Sequence, residues 1–110
     1  MSVQVAKGDG TVPNPTTTAI LRAGDLADRA TFFRNDLAYA ATGGAIPKNP
    51  HTFLTNIGIA AAAPFAVAAQ IQIAVFFSSD GTVVIDPDGA GPFFETPIPL
   101  PLPETLSFLP

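Results

Sequence analysis

Cysteine is absent from this 110-residue chain. That excludes disulfides, thiolate nucleophiles and cysteine-rich zinc sites. Charge is scarce as well. Only 13% of residues are charged, against about 25% in an ordinary soluble domain. The five cations, Lys7, Arg22, Arg29, Arg34 and Lys48, are scattered, and the net charge is −4. With no basic stripe, the chain lacks the electrostatic footprint of a nucleic-acid partner. Histidine occurs once, at position 51, so a multi-histidine metal site is excluded. Lys7-Gly8-Asp9-Gly10-Thr11 places glycines near a lysine, but it is not a phosphate-binding loop of the Gly-x-x-x-x-Gly-Lys-Ser/Thr type. No cofactor is expected. Met1 to Lys7 has no basic segment followed by a long apolar one, and does not read as a signal peptide.

What the chain has in excess is apolar surface, at 47% of residues. A chain of this length forms at most one domain with a modest core. Its apolar content exceeds what such a core hides easily, so packing on another surface is expected. The longest uncharged run, Ile57 to Phe77, is 21 residues, which reaches membrane-spanning length. It contains Pro64, Gln70 and Gln72 and is largely alanine, which gives little transfer energy into lipid. It reads as a buried helix, and no membrane span is expected.

In chain order, Val3 to Ala6 alternates and reads as a strand. Lys7 to Pro15 is a loop punctuated by glycine and proline, with Asp9 in its middle. Asn14 followed by Pro15 reads as a helix N-cap and first turn. The helix should run to about Ala23, bury Ala19, Ile20 and Ala23, and stop at Gly24. Arg29 to Arg34 is a second strand, and residues 35–41 form a turn or short helix. Thr42 to Pro50 is loop and leads into His51. Pro64 should open a long helix through Ser79, buried on more than one side. Thr82 to Ile85 reads as a short strand. The Phe pairs 32–33, 76–77 and 93–94 read as packing residues. Residues 97–103 alternate proline with an apolar residue, which favours an extended, polyproline-like course outside any central strand. The expected organisation is therefore an α/β unit over residues 1–89 and a proline-rich extended tail over residues 90–110.

Two loops carry the candidate chemistry. Gly8-Asp9-Gly10-Thr11-Val12-Pro13-Asn14 follows the first strand. Asn49-Pro50-His51-Thr52-Phe53 precedes the long helix. Strand, acid loop, helix, strand, histidine loop and long helix together resemble the C-terminal segment of an α/β-hydrolase of the esterase/lipase type. In that family the chain order of the triad is nucleophile, acid, histidine. The resemblance covers roughly residues 2–80. It implies an α/β-hydrolase-like strand-helix-strand-helix unit in which Asp9 is the triad acid and His51 the general base. The implied substrate is a small-molecule carboxylic ester. The chain departs from the family in having no Gly-x-Ser-x-Gly nucleophile elbow: its serines are Ser2, Ser78, Ser79 and Ser107. On this reading the nucleophile lies on sequence outside the chain, and the apolar excess packs against it.

Plainer readings stand beside these. Gly-Asp-Gly is a common turn former, and a loop histidine often makes only a backbone hydrogen bond. Asp25, Asp28 and Asp36 read as solvated turn residues. Asp86-Pro87-Asp88-Gly89 spaces two carboxylates like the start of a calcium loop, but lacks the later ligands. A different class of function also fits: a small structural or assembly protein, such as a virion decoration or cement subunit, with no catalytic site. Self-association or packing on another chain is expected in either case, since so small a unit leaves sheet edges and apolar helix faces open.

Overall fold

The computed structural model describes residues 1–108 and is a mixed α/β protein built on a three-stranded sheet. The last two residues of the proline-rich segment lie outside the described residues. Strand β1 is Val3–Ala6, β2 is Ala30–Phe33 and β3 is Phe94–Glu95, in spatial order β1-β2-β3. β1 and β2 are parallel, with Val3 opposite Ala30 and Ala6 opposite Phe33. β3 is antiparallel to β2, with Phe94 opposite Phe33. The helices are α1 (Asn14–Gly24), α2 (Asn35–Ala41) and α3 (Ala63–Ser78), with short 3-10 turns at Ala27–Arg29 and Phe53–Gly58.

Strand alternation divides the core into two layers. On one face Val5, Ala30 and Phe32 pack with Leu21 of α1 and with Ile98. On the other, Phe33 and Phe94 pack with Ala69 of α3, Ala38 of α2 and Ile46. The ring of Phe33 stacks on both Phe53 and Phe94, with centroids 4.7 and 5.0 Å away. The central strand β2 is buried along its whole length because both faces and both edges are covered. Helix α3 approaches the sheet closely through small residues: Ala66 and Ala69 are fully buried, three positions apart.

One polar network crosses this core. Gln72 of α3 is fully buried. Its Oε1 accepts from Gln4 Nε2 at 2.7 Å, and its Nε2 donates to Thr31 Oγ1 at 2.7 Å and to the Ile85 carbonyl at 2.8 Å. A buried amide costs little when its donors and acceptor are matched and several kcal/mol when they are not. Gln72 therefore fixes the register of α3 against β1 and β2, which apolar contacts alone leave loose.

Several elements differ from expectation. Asn14 is not an N-cap: it lies inside α1, the cap position is Pro13, and no side chain caps the helix. The buried face of α1 is Asn14, Thr18 and Leu21, while Ala19, Ile20 and Ala23 are exposed. Hydropathy misplaced the face because two of its three members are polar, each satisfied by hydrogen bonds. Gly24 stays helical, and Asp25 takes the left-handed position at φ 52° instead. Residues 82–85 form no strand, and the Ile85 carbonyl is occupied by Gln72. Helix α3 is buried along one stripe only, with Val67, Ile71 and Phe77 exposed at 44, 50 and 71%. Among the described residues no helix is long and apolar enough to cross a membrane.

The proline-rich segment lies along the rest of the fold. It supplies β3, the Ile98 N–H donates to the Ala30 carbonyl at 2.8 Å, and Ile98 is buried against Phe32. Proline at every second position leaves the intervening residue free to bond and to bury its side chain. Farther on, Glu104 pairs with Arg22, and the Thr105 carbonyl accepts from Asn14 Nδ2 at 2.8 Å.

Replacing Gln72 with alanine should destabilise the protein by roughly 2–4 kcal/mol, since it opens a cavity and strips partners from Thr31 and Ile85. Urea denaturation would measure it; a change under about 0.5 kcal/mol would remove the network from the account.

Candidate active site

Parallel β1 and β2 end at the same edge of the sheet; the acid loop follows β1 directly, and the histidine loop follows β2 after α2. The acid loop leaves β1 at Lys7. Gly8 has φ +82°, and a Cβ built there would meet the Phe108 carbonyl oxygen at 2.9 Å, so only glycine fits. The Gly8 N–H donates to the buried Asn14 Oδ1 at 3.1 Å, which ties the loop to α1. Asp9 then folds into an Asx turn: its Oδ1 accepts from Thr11 N–H at 2.7 Å and from Val12 N–H at 2.8 Å.

The histidine loop is anchored in the same manner. Buried Asn35, at the start of α2, donates from Nδ2 to the Lys48 carbonyl at 3.0 Å. Pro50 is buried beneath the loop. The His51 N–H donates to Asn49 Oδ1 at 3.1 Å, and Thr52 turns the chain with φ 67°.

The two loops meet at the two residues singled out from sequence. Asp9 Oδ2 and His51 Nδ1 lie 3.0 Å apart across 42 positions of sequence. The Asp9 side chain is 15% exposed and that of His51 42%. Partial burial pushes the Asp9 carboxyl up, but the Val12 N–H, the His51 ring and the Thr11 N–H together hold it below the ordinary carboxylate range. Asp9 is thus an anion at neutral pH, and its free oxygen faces the ring. With Nδ1 donating to that oxygen, the neutral form of the ring is the Nδ1–H tautomer, with its lone pair on Nε2. Nε2 has no hydrogen-bond partner among the described residues. His51 and Asp9 line an open cleft of about 400 Å³ with Gln4, Ala6, Val12 and Leu54.

The other acidic residues separate clearly from this pair. Asp25 and Asp28 are exposed. Asp36 is not a solvated turn residue. Its Oδ2 accepts from Lys7 Nζ at 2.8 Å and from Arg34 at 2.9 Å, and Arg34 also reaches Glu95 at 2.8 Å. Burial raises the Asp36 pKa, but the two cations outweigh it and bring it to about 2. Arg34 is a near neighbour in sequence, but Lys7, just after β1, and Glu95 of β3 come from far along the chain. Asp86 and Asp88 form a turn in which Asp88 Oδ2 accepts from the Phe93 and Phe94 N–H groups. Burial and the neighbouring Asp88 push the Asp86 carboxyl up. Among the described residues no group of three or more His, Asp or Glu side chains could hold a metal.

Sequence reasoning missed Asn14, Asn35 and Asn49 as the residues that hold the loops. The Asn-Pro pairs at 14–15 and 49–50 were the available signal, since that dipeptide favours turns. Comparison with protein-family models, curated proteins and solved structures gave no match.

Replacing His51 with alanine should raise the Asp9 pKa, though the Val12 and Thr11 N–H groups remain; carboxyl ¹³C titration would read the shift. The Asp36 pKa is depressed by folding, so its stabilisation is present above the unfolded value near 4 and is lost as pH falls towards about 2. Asp36→Asn should therefore cost roughly 1–2 kcal/mol at pH 7, discounted for solvent screening, and only a small fraction of that at about pH 2, where half of the carboxylate is already protonated in the folded protein. Denaturation at both pH values would check it; an equal difference at both would contradict the ion-pair reading.

Proposed function

We propose that the chain is the acid- and histidine-bearing segment of a carboxylic-ester hydrolase of the α/β-hydrolase type, with the nucleophile supplied by polypeptide outside these 110 residues. The observation that carries this reading is the 3.0 Å contact of Asp9 Oδ2 with His51 Nδ1 beside an open cleft. It supplies two of the three roles in acyl transfer. His51 Nε2 takes the proton from the attacking hydroxyl as its oxygen bonds to the ester carbonyl carbon, then returns it to the departing alkoxide. Asp9 holds the tautomer and stabilises the imidazolium formed between the two transfers. The parallel β1–β2 pair with α1 between them and α3 behind supports a hydrolase-like strand-helix-strand-helix unit.

The missing nucleophile fits the surfaces left open. β1 is an edge strand, and the outer side of α3 is uncharged and apolar. Both would be covered by the sheet that brings the nucleophile to the cleft. The same surfaces support a second reading, a structural or assembly subunit stabilised by its neighbours, in which the Asp9–His51 contact is only a loop clasp. Self-association of the isolated chain is expected under both readings.

Hydrolysis of p-nitrophenyl butyrate separates them. With water in place of the serine, the parent should hydrolyse it slowly but above buffer, far below a complete triad. His51→Ala should fall to the buffer rate, and Asp9→Ala should lose about tenfold or more. A parent indistinguishable from both variants would remove the catalytic reading. Light scattering should show dimers or larger species; a sharp monomer peak would count against the open surfaces being interfaces.

A further inference from the structure

Asn14 fastens the acid loop to α1 and Asn35 fastens the histidine loop to the start of α2, yet neither joins one loop to the other. That link comes from a single atom. Asn49 Oδ1 accepts the Gly10 N–H at 2.9 Å and the His51 N–H at 3.1 Å. Gly10 directly follows Asp9, so the oxygen lies between the backbone beside the acid and the backbone of the base. Among the described residues, the other side-chain hydrogen bond between residues 8–12 and 48–52 is the Asp9–His51 contact itself.

We propose that Asn49 is the positioning residue of the Asp9–His51 pair, holding the two loops at the separation that keeps the His51 Nδ1–H directed at Asp9 Oδ2. The reason is geometric. The His51 side chain is 42% exposed, and among the described residues its ring has no hydrogen-bond partner other than Asp9. A carbonyl oxygen has two lone-pair directions, and here each receives one donor. Alanine at 49 removes both bonds at once. Aspartate keeps an acceptor oxygen in the same place.

The inference rests on the pairing of Asp9 with His51 and does not require ester hydrolysis. Because His51 is the only histidine, its ring nitrogens give one unambiguous set of long-range ¹H–¹⁵N signals. Measured well above the ordinary histidine pKa, the parent should be mainly the Nδ1–H tautomer, and Asp9→Asn should define the unpaired state. Asn49→Ala should lower the ratio of Nδ1–H to Nε2–H about three- to tenfold, with Tm nearly unchanged, and Asn49→Asp should restore it. A merely structural asparagine would lower Tm and leave the tautomer alone, which would overturn the proposal. So would rapid hydrogen exchange of the Gly10 amide in the parent, a measurement independent of whether either variant folds. A parent without Nδ1–H preference would overturn the Asp9–His51 pairing instead.

Discussion

The parallel pairing of β1 with β2 is the constraint on which the rest depends. Two strands that run side by side in the same direction end at the same edge. The acid loop follows β1 directly, whereas His51 comes only after α2 and residues 42–50, so the strand pairing sets the edge and the hydrogen bonds of Asn35 and Asn49 bring His51 back to it. A parallel pair also requires a crossover, and α1 provides it across one face while α3 covers the other. Hydrophobic burial drives this layering but does not fix it finely. The finer adjustment comes from polar groups at the joints: Gln72 beneath the sheet, Asn14 and Asn35 under the two loops, and the Lys7–Asp36–Arg34–Glu95 ion pairs near the strand ends.

How legible this was depended on whether the signal was local. β1, β2 and α3 were readable because alternation, aromatic and β-branched content, and a proline at the helix start are properties of short windows. The Asp9 and His51 loops stood out for the same reason. The face of α1 was not readable, because the buried Asn14 and Thr18 are polar, and their burial depends on partners as distant as Thr105. The Lys7–Asp36 ion pair was hidden by distance along the chain, although Arg34 lies only two positions from Asp36. Strand β3 was hidden by length, since two residues carry no periodicity, and Ile98 by the prolines around it. The Asn49 bridge combined both problems: its second donor, Gly10, lies 39 positions away.

The surface leaves one apolar helix side and one sheet edge open. The outer side of α3 exposes Val67, Ile71 and Phe77, and β1 pairs on one side only. An exposed apolar patch of this kind is the feature on which both proposed readings draw. The proposed hydrolase segment and an assembly subunit share that property. They part at the cleft, where one requires His51 to move a proton and the other does not.

The most direct test is therefore the solvent isotope effect on hydrolysis of an activated ester by the parent protein, compared in H₂O and D₂O at matched acidity. General-base action by His51 moves a proton from the attacking oxygen in the transition state, so the account predicts a clearly slower rate in D₂O. An equal rate in the two solvents, or one no faster than buffer in either, would contradict it.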